Sequence, residues 1–129
     1  MNALEELLLV CDELNPNLAQ ARMDGRVRAA MDFICGHFHE RIDLETIAEA
    51  AGLSMSRLSH LFKEQAGTSV QKFLESQRIA RAKQLLEFTP RSVKEIAQDV
   101  GYDNPFYFSM RFRAATGKSP RGWRTGMTR

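Results

Sequence analysis

The sequence repeats itself, and this internal repeat restricts the possible folds more than any other feature. Residues 42–69 are similar to residues 91–119. Matched positions are 49 apart in the first half of each copy and 50 apart in the second half, as one residue inserted in the intervening turn would produce. The clearest pairs are Asp43/Ser92, Leu44/Val93, Ile47/Ile96, Ala48/Ala97, Gly52/Gly101, Leu58/Phe108, Ser59/Ser109, Phe62/Phe112, Gly67/Gly117 and Ser69/Ser119. Such a repeat predicts two copies of one supersecondary unit.

Each copy reads as two short helices joined by a turn. Asp43 and Ser92 are typical N-cap residues, because their side-chain oxygens accept hydrogen bonds from the open N–H groups of a first helical turn. Gly52 and Gly101 stand where the chain must turn, and a positive φ costs glycine little. Two short helices joined in this way form a helix-turn-helix. The two motifs are predicted at residues 44–66 and 93–116.

Helical patterns account for nearly all of the remaining sequence. Residues 69–88 form a long amphipathic pattern without an internal glycine or proline, and residues 2–14 and 24–39 also have apolar residues at helical spacing. No segment shows the alternation of a strand. The sequence therefore predicts an all-α fold: two homeodomain-like helix-turn-helix subdomains joined by a long linker helix, about seven helices in all, plus an N-terminal helix.

The predicted linker helix has a length that suits DNA. Residues 69–88 would extend roughly 30 Å at a rise of ~1.5 Å per residue. Successive major-groove faces on one side of B-DNA are ~34 Å apart. A stiff connector of this length can hold one helix of each unit in adjacent major grooves.

The second helix of the first unit carries an unusual polar face. At ~100° per residue, Ser56, His60 and Lys63 fall together, opposite an apolar side, with Arg57 and Ser59 beside them. A merely solvated face usually carries Glu and Lys. Hydroxyl and imidazole groups can donate or accept hydrogen bonds, as contacts to base edges require. This face is therefore predicted to contact DNA bases.

Composition points to an anionic partner and to the cytoplasm. Residues 1–20 contain four acids and no base, whereas residues 101–129 contain six basic residues and one acid. A basic end on a chain of net charge +2 favours a phosphate-bearing partner, although a solubilising tail has the same pattern. No apolar run approaches the ~20 residues that span a bilayer, and no signal peptide is predicted. Two cysteines suit a reducing cytoplasm.

These motifs resemble the AraC/XylS family of bacterial transcription regulators. The resemblance covers residues 24–126, and its most specific piece is GYDNPFYFSMRFRAATGKSPRGWR at 101–124, with the family's glycine–aromatic opening, Tyr-Phe-Ser, Gly-x-Ser-Pro and aromatic-Arg ending. The segments SRLSHLF and LESQRIARAKQLL look most like arabinose-responsive members. The resemblance implies a DNA-binding regulator of the activator type, located in the bacterial cytoplasm and associated with the nucleoid. Its implied partners are double-stranded DNA and RNA polymerase.

The resemblance also suggests that the chain is part of a longer protein. Residues 1–20 look like the last helix and linker of a regulatory domain, whereas the sugar-binding, dimerising domain of such a protein is absent from the sequence. We therefore expect a homodimeric regulator of sugar (arabinose) metabolism genes. The alternatives are a short, effector-independent activator of the multidrug or stress type, and the DNA-binding end of a recombinase.

Carried over position by position, the resemblance implies a set of base-facing residues. They are Ser56, Arg57, Ser59 and His60 in the first unit and Phe106, Ser109 and Met110 in the second. The second unit departs from the family pattern, because Met110 stands where Arg or Lys is common. An apolar Phe106 and Met110 can pack on thymine methyl groups but cannot form a bidentate contact to guanine. The first unit is therefore predicted to discriminate sequences more strongly.

Eight basic side chains are predicted to contact phosphate, which would make the affinity strongly salt-dependent. They are Lys63, Arg78, Arg81, Arg111, Arg113, Lys118, Arg121 and Arg124. Arg111 aligns with Leu61 on the buried side of the first unit, so its side chain is expected to point partly inward.

No motif predicts catalysis, a cofactor or a metal. The sequence has no nucleophile elbow, P-loop or HExxH motif. Cys35, His37 and His39 are potential metal ligands, but a spacing of two on a helix directs successive side chains apart. A packed cysteine and two histidines near a helix C-terminus explain them better. A helical protein–protein module remains the competing class, because the apolar stripe at 2–14 offers a partner surface.

Overall fold

The computed structural model describes residues 24–127, and seven α-helices make up most of that range. They are α1 (Gly25–His37), α2 (Leu44–Ala51), α3 (Met55–Ala66), α4 (Val70–Phe88), α5 (Val93–Asp99), α6 (Pro105–Thr116) and α7 (Pro120–Met127). Residues 24–127 contain no strand, and the predicted all-α fold is confirmed. The helix predicted at 2–14 lies outside the described residues.

The helices begin where the sequence supplies capping groups. The Asp43 carboxylate accepts a hydrogen bond from the N–H of Thr46 (2.9 Å), which holds the pKa of Asp43 below its usual value. The Ser92 hydroxyl accepts from the N–H of Glu95, and the Glu95 carboxylate accepts from the N–H of Ser92 (2.9 Å). This reciprocal capping box satisfies two N–H groups that α5 would otherwise leave open.

Each helix-turn-helix has a hydrophobic core of its own. The first core is built on Val27, Ile34, Ile47, Leu58, Phe62 and Val70, and the second on Ile79, Leu86, Ile96, Val100, Phe108 and Phe112. Helix α4 contributes to both, because Val70 lies at one end of it and Leu86 near the other. Thus α4 is the last helix of the first unit and the first helix of the second.

The structural repeat extends beyond the segments matched in sequence. The rings of Phe62 and Phe73 meet edge to face with centroids 5.6 Å apart, and Phe112 meets Trp123 in the same way at 5.8 Å. Helix α7 is therefore the structural counterpart of the first half of α4. It packs in the second unit where that half of α4 packs in the first unit. The second half of α4 similarly matches α1, through the buried pairs Val27/Ile79, Ala30/Ala82 and Ile34/Leu86.

Arg78, on α4, joins the two units where they meet. Its Nε donates to the carbonyl of Phe38 (2.7 Å) and its Nη2 to the carbonyl of Glu40 (2.9 Å), just beyond α1. The guanidinium carbon also lies 5.4 Å from the centre of the Tyr102 ring in the second unit. Burial raises the pKa of Tyr102 to about 12, so the phenol is neutral at neutral pH and the contact is a cation–π interaction.

The turn of the second unit packs tightly against this contact, whereas the turn of the first unit is open. A Cβ added at Gly101 (φ +104°) would lie 2.7 Å from the carbonyl oxygen of Phe38 and 2.8 Å from Nε of Arg78. A Cβ at Gly52 (φ +73°) would have no atom within 4 Å. Both glycines have a left-handed backbone conformation, but only at Gly101 would an added side chain also collide with neighbouring atoms.

We expect Gly52→Ala to lower the free energy of unfolding by about 1–2 kcal/mol, the cost of a left-handed alanine. Gly101→Ala should cost about 1–3 kcal/mol more, because the added methyl group displaces a hydrogen-bonded contact between the units. Urea denaturation of the two variants measures the difference. Equal losses would contradict the close approach at Gly101.

Candidate nucleic-acid interface

Helix α3 presents the polar face predicted from the sequence. Its N-cap is Ser54, whose hydroxyl accepts from the N–H of Arg57 (3.1 Å). Its exposed side chains include Ser56, Arg57, Ser59, His60 and Lys63, and the opposite side buries Leu58, Leu61 and Phe62. The imidazole of His60 lies 3.9 Å from the Glu64 carboxylate one turn later, also at the surface. The face is therefore accessible to a groove of DNA.

Helix α6 presents an apolar surface in the equivalent position. Phe106 and Met110, which align with Ser56 and His60, are 83% and 56% exposed. Ser109 is half-buried. The repeat thus places two chemically different faces on the same structural frame.

Arg111 holds α6 against α4. Its Nε and Nη2 donate to the two oxygens of Glu75, at 2.6 and 3.0 Å, in a bidentate ion pair. This carboxylate raises the pKa of the guanidinium. The alignment with Leu61 correctly indicated an inward direction for Arg111, but it did not identify Glu75. The sequence signal is the alignment of Arg111 with Leu61, which is buried. An arginine at such a position indicates an acidic partner within the fold.

The other predicted phosphate contacts fall into two groups. Lys63, Arg113, Lys118 and Arg121 are exposed, on α3, on α6 and around the start of α7. Arg124 instead donates to the carbonyls of Leu86 (3.1 Å) and Thr89 (3.0 Å), so it caps the C-terminal end of α4 as Arg78 caps that of α1. The roles of Arg78, Arg111 and Arg124 within the fold are observed, and their contact with phosphate stays a prediction.

Arg81 lies apart from the exposed faces of α3 and α6. Its Nη1 donates to Gln84 (2.9 Å), and its side chain lines a groove with Phe38, Leu85 and Asp99. None of these residues belongs to α3 or α6. Its contact with phosphate likewise stays a prediction.

The suspected metal ligands have other contacts. Nδ1 of His37 lies 2.9 Å from the carbonyl of Phe33, and the His37 ring stacks on the Phe33 ring at 4.2 Å. Sγ of Cys35 lies 3.9 Å from Oε1 of Gln77. Within residues 24–127, no group of three or more His, Cys, Asp or Glu side chains is arranged to hold a metal ion.

A sequence-family model described as a helix-turn-helix domain matches residues 47–126, well over half of the chain. The chain belongs to the AraC-type helix-turn-helix family of DNA-binding transcription regulators. The family predicted from the sequence is thereby confirmed. In the described range, no helix has the length and apolarity needed to cross a membrane.

Named proteins are similar to this AraC-type chain over most of its length. It is 41% identical over 98% of its length to the arabinose operon regulatory protein of Escherichia coli K12, of which it covers 44%. The chain therefore spans less than half the length of this relative. Among solved structures, it resembles the C-terminal domain of AraT, a response regulator from Geobacillus stearothermophilus, with a TM-score of 0.79 and 37% identity over 81% of this chain and 88% of that one.

A second solved structure was determined with nucleic acid bound. It is the DNA-binding domain of AdpA, a global transcriptional factor, in complex with a target DNA. The TM-score is 0.75 and the identity 30%, over 78% of this chain and 91% of that chain.

The Glu75–Arg111 pair is predicted to act as one coupling between α4 and α6. Glu75→Gln should weaken the pair by removing its charge while keeping the side chain's shape. Because the two groups act together, Glu75→Gln and Arg111→Ala should be non-additive in the free energy of unfolding. A double-mutant cycle by chemical denaturation measures this, with Glu75→Gln and Arg91→Ala as the matched unlinked pair. Simple additivity for Glu75 and Arg111 would show that the pair does not couple the helices.

Proposed function

We propose that this chain binds duplex DNA sequence-specifically, with α3 and α6 in adjacent major grooves on one side of the duplex. The main support is α4, a continuous helix of 19 residues that would extend about 28 Å. This length approaches the ~34 Å that separates two such grooves. Because α4 is part of both cores, it holds the recognition helices in a fixed relation.

The side chains divide into two roles in this proposal. Ser56 and His60 contact base edges, with Arg57 and Ser59 beside them, because hydroxyl and imidazole groups can match either kind of edge. The exposed bases Lys63, Arg113, Lys118 and Arg121 contact phosphate, where they release counterions. The first unit then supplies more of the sequence discrimination than the second.

The proposed regulatory role is control of sugar metabolism genes, with arabinose as the favoured sugar. It is supported by the 41% identity to a protein named for the arabinose operon. The named relatives are regulators, which favours this role over a recombinase fragment and over an enzyme. Contact with RNA polymerase and pairing of two subunits in the whole protein belong to the same proposal.

We expect His60→Ala and Lys63→Ala to weaken DNA binding in different ways. His60→Ala should reduce the affinity for the preferred site about tenfold and relax the preference at one base position, because it removes a contact to a base edge. Lys63→Ala should weaken binding equally on all sequences and reduce the slope of log affinity against log salt by about 1.

Fluorescence anisotropy titrations on a site selected from random duplexes, and on its scrambled version, separate the two effects. A uniform loss from His60→Ala would contradict its contact with a base. If the unaltered chain gave no complex with any duplex at low salt, DNA binding itself would be excluded and a protein–protein module favoured.

A further inference from the structure

The exposed surface of α6 is apolar at its centre. Phe106, Tyr107 and Met110 are 83%, 52% and 56% exposed, and the Tyr107 ring lies beside that of Tyr102, with centroids 6.1 Å apart. Phe106 lies in the first turn of α6, and the N-terminal residues of a recognition helix are those that reach base edges. The apolar patch therefore lies where the second unit would meet the major groove.

Two polar side chains near this patch, Asn104 and Arg111, are engaged elsewhere. The Asn104 side chain accepts hydrogen bonds from the N–H groups of Phe106 (2.8 Å) and Tyr107 (3.2 Å). Arg111 is held by Glu75. Arg113, two turns beyond Phe106 on the same face, aligns with Lys63 and so with the phosphate-contacting position of the first unit. The side chains that α6 aims at the bases can thus make apolar contacts.

The charge of this part of the chain favours a polyanion as the occupant of the patch. Residues 105–127 contain five basic residues and no acidic one. Of these, Arg113, Lys118 and Arg121 are exposed. An apolar surface on a helix that carries, and is followed by, exposed basic groups suits the major groove, whose walls are phosphate backbones.

The major groove offers one apolar group, the C5-methyl of thymine. Other base-edge groups there are hydrogen-bond donors and acceptors, and covering them with Phe or Met would leave them unpaired. We propose that α6 recognises thymine methyl groups in the second half of the DNA site through Phe106 and Met110. This inference rests on the proposed DNA binding and names the base that the second unit selects.

Replacing thymine by deoxyuridine removes only the methyl group and leaves the protein unaltered. In the half-site bound by α6, each replaced thymine should weaken binding about fourfold, the value expected for one buried methyl group. The Phe106→Ala/Met110→Ala variant should bind thymine and uracil duplexes alike. Because both side chains are exposed, this variant is expected to fold, as circular dichroism can verify.

The matched controls use the first unit. His60→Ala should keep the full uracil penalty in the second half-site, since α6 is unaltered. Equal affinity for thymine and uracil duplexes would overturn the inference while leaving DNA binding intact. So would a uracil penalty that persists in the Phe106→Ala/Met110→Ala variant. If the Phe106→Ala/Met110→Ala variant bound DNA like the unaltered chain, the patch would instead be assigned to a protein partner. Absence of sequence-specific binding by the unaltered chain would overturn the proposed function as well.

Discussion

The architecture depends on one helix being shared by two cores. If residues 70–88 were a flexible linker, the two helix-turn-helix units would pivot independently and their surfaces would have no fixed relation. Instead Val70 is buried in one core and Leu86 in the other, so bending α4 would disturb packing on both sides. Arg78 strengthens this arrangement, because it binds the end of α1 and lies over Tyr102 of the second unit.

The two units share their interiors and differ at their surfaces. Buried positions are constrained by packing, so Ile47 and Phe62 have Ile96 and Phe112 as their counterparts. Exposed positions contribute little to stability, so their residue types can vary with the ligand that the surface binds. The same helix-turn-helix fold can therefore carry a polar face on α3 and an apolar face on α6. Two such faces would require different base sequences in the two halves of a DNA site.

The sequence predicted the features of the fold that depend on neighbouring residues. Caps, turns and helical periodicity depend on residues a few positions apart, so the helices of both units followed from Ser92, Gly52 and similar signals. Polar contacts between distant residues did not follow, because neither Arg78 with Phe38 nor Arg111 with Glu75 has a local pattern. As a result, arginines that stabilise the fold were grouped with those exposed to solvent.

The role of α7 follows from a sequence signal, the continuation of the repeat beyond residues 69 and 119. Phe73 and Trp123 are 50 residues apart, the same offset as Phe62 and Phe112, and the rings of both pairs meet edge to face at similar centroid distances. Extending the repeat to these residues identifies α7 as the counterpart of the first half of α4.

The most direct test of the shared helix is the spacing of the two half-sites on DNA. Inserting 5 base pairs between them turns the second half-site to the opposite side of the duplex, and inserting 10 restores the side but moves it about one helical turn further away. A rigid α4 predicts that both insertions reduce the affinity to that of a single half-site. Recovery of the affinity at 10 base pairs, or no loss at 5, would show that the two units move independently and would contradict the account.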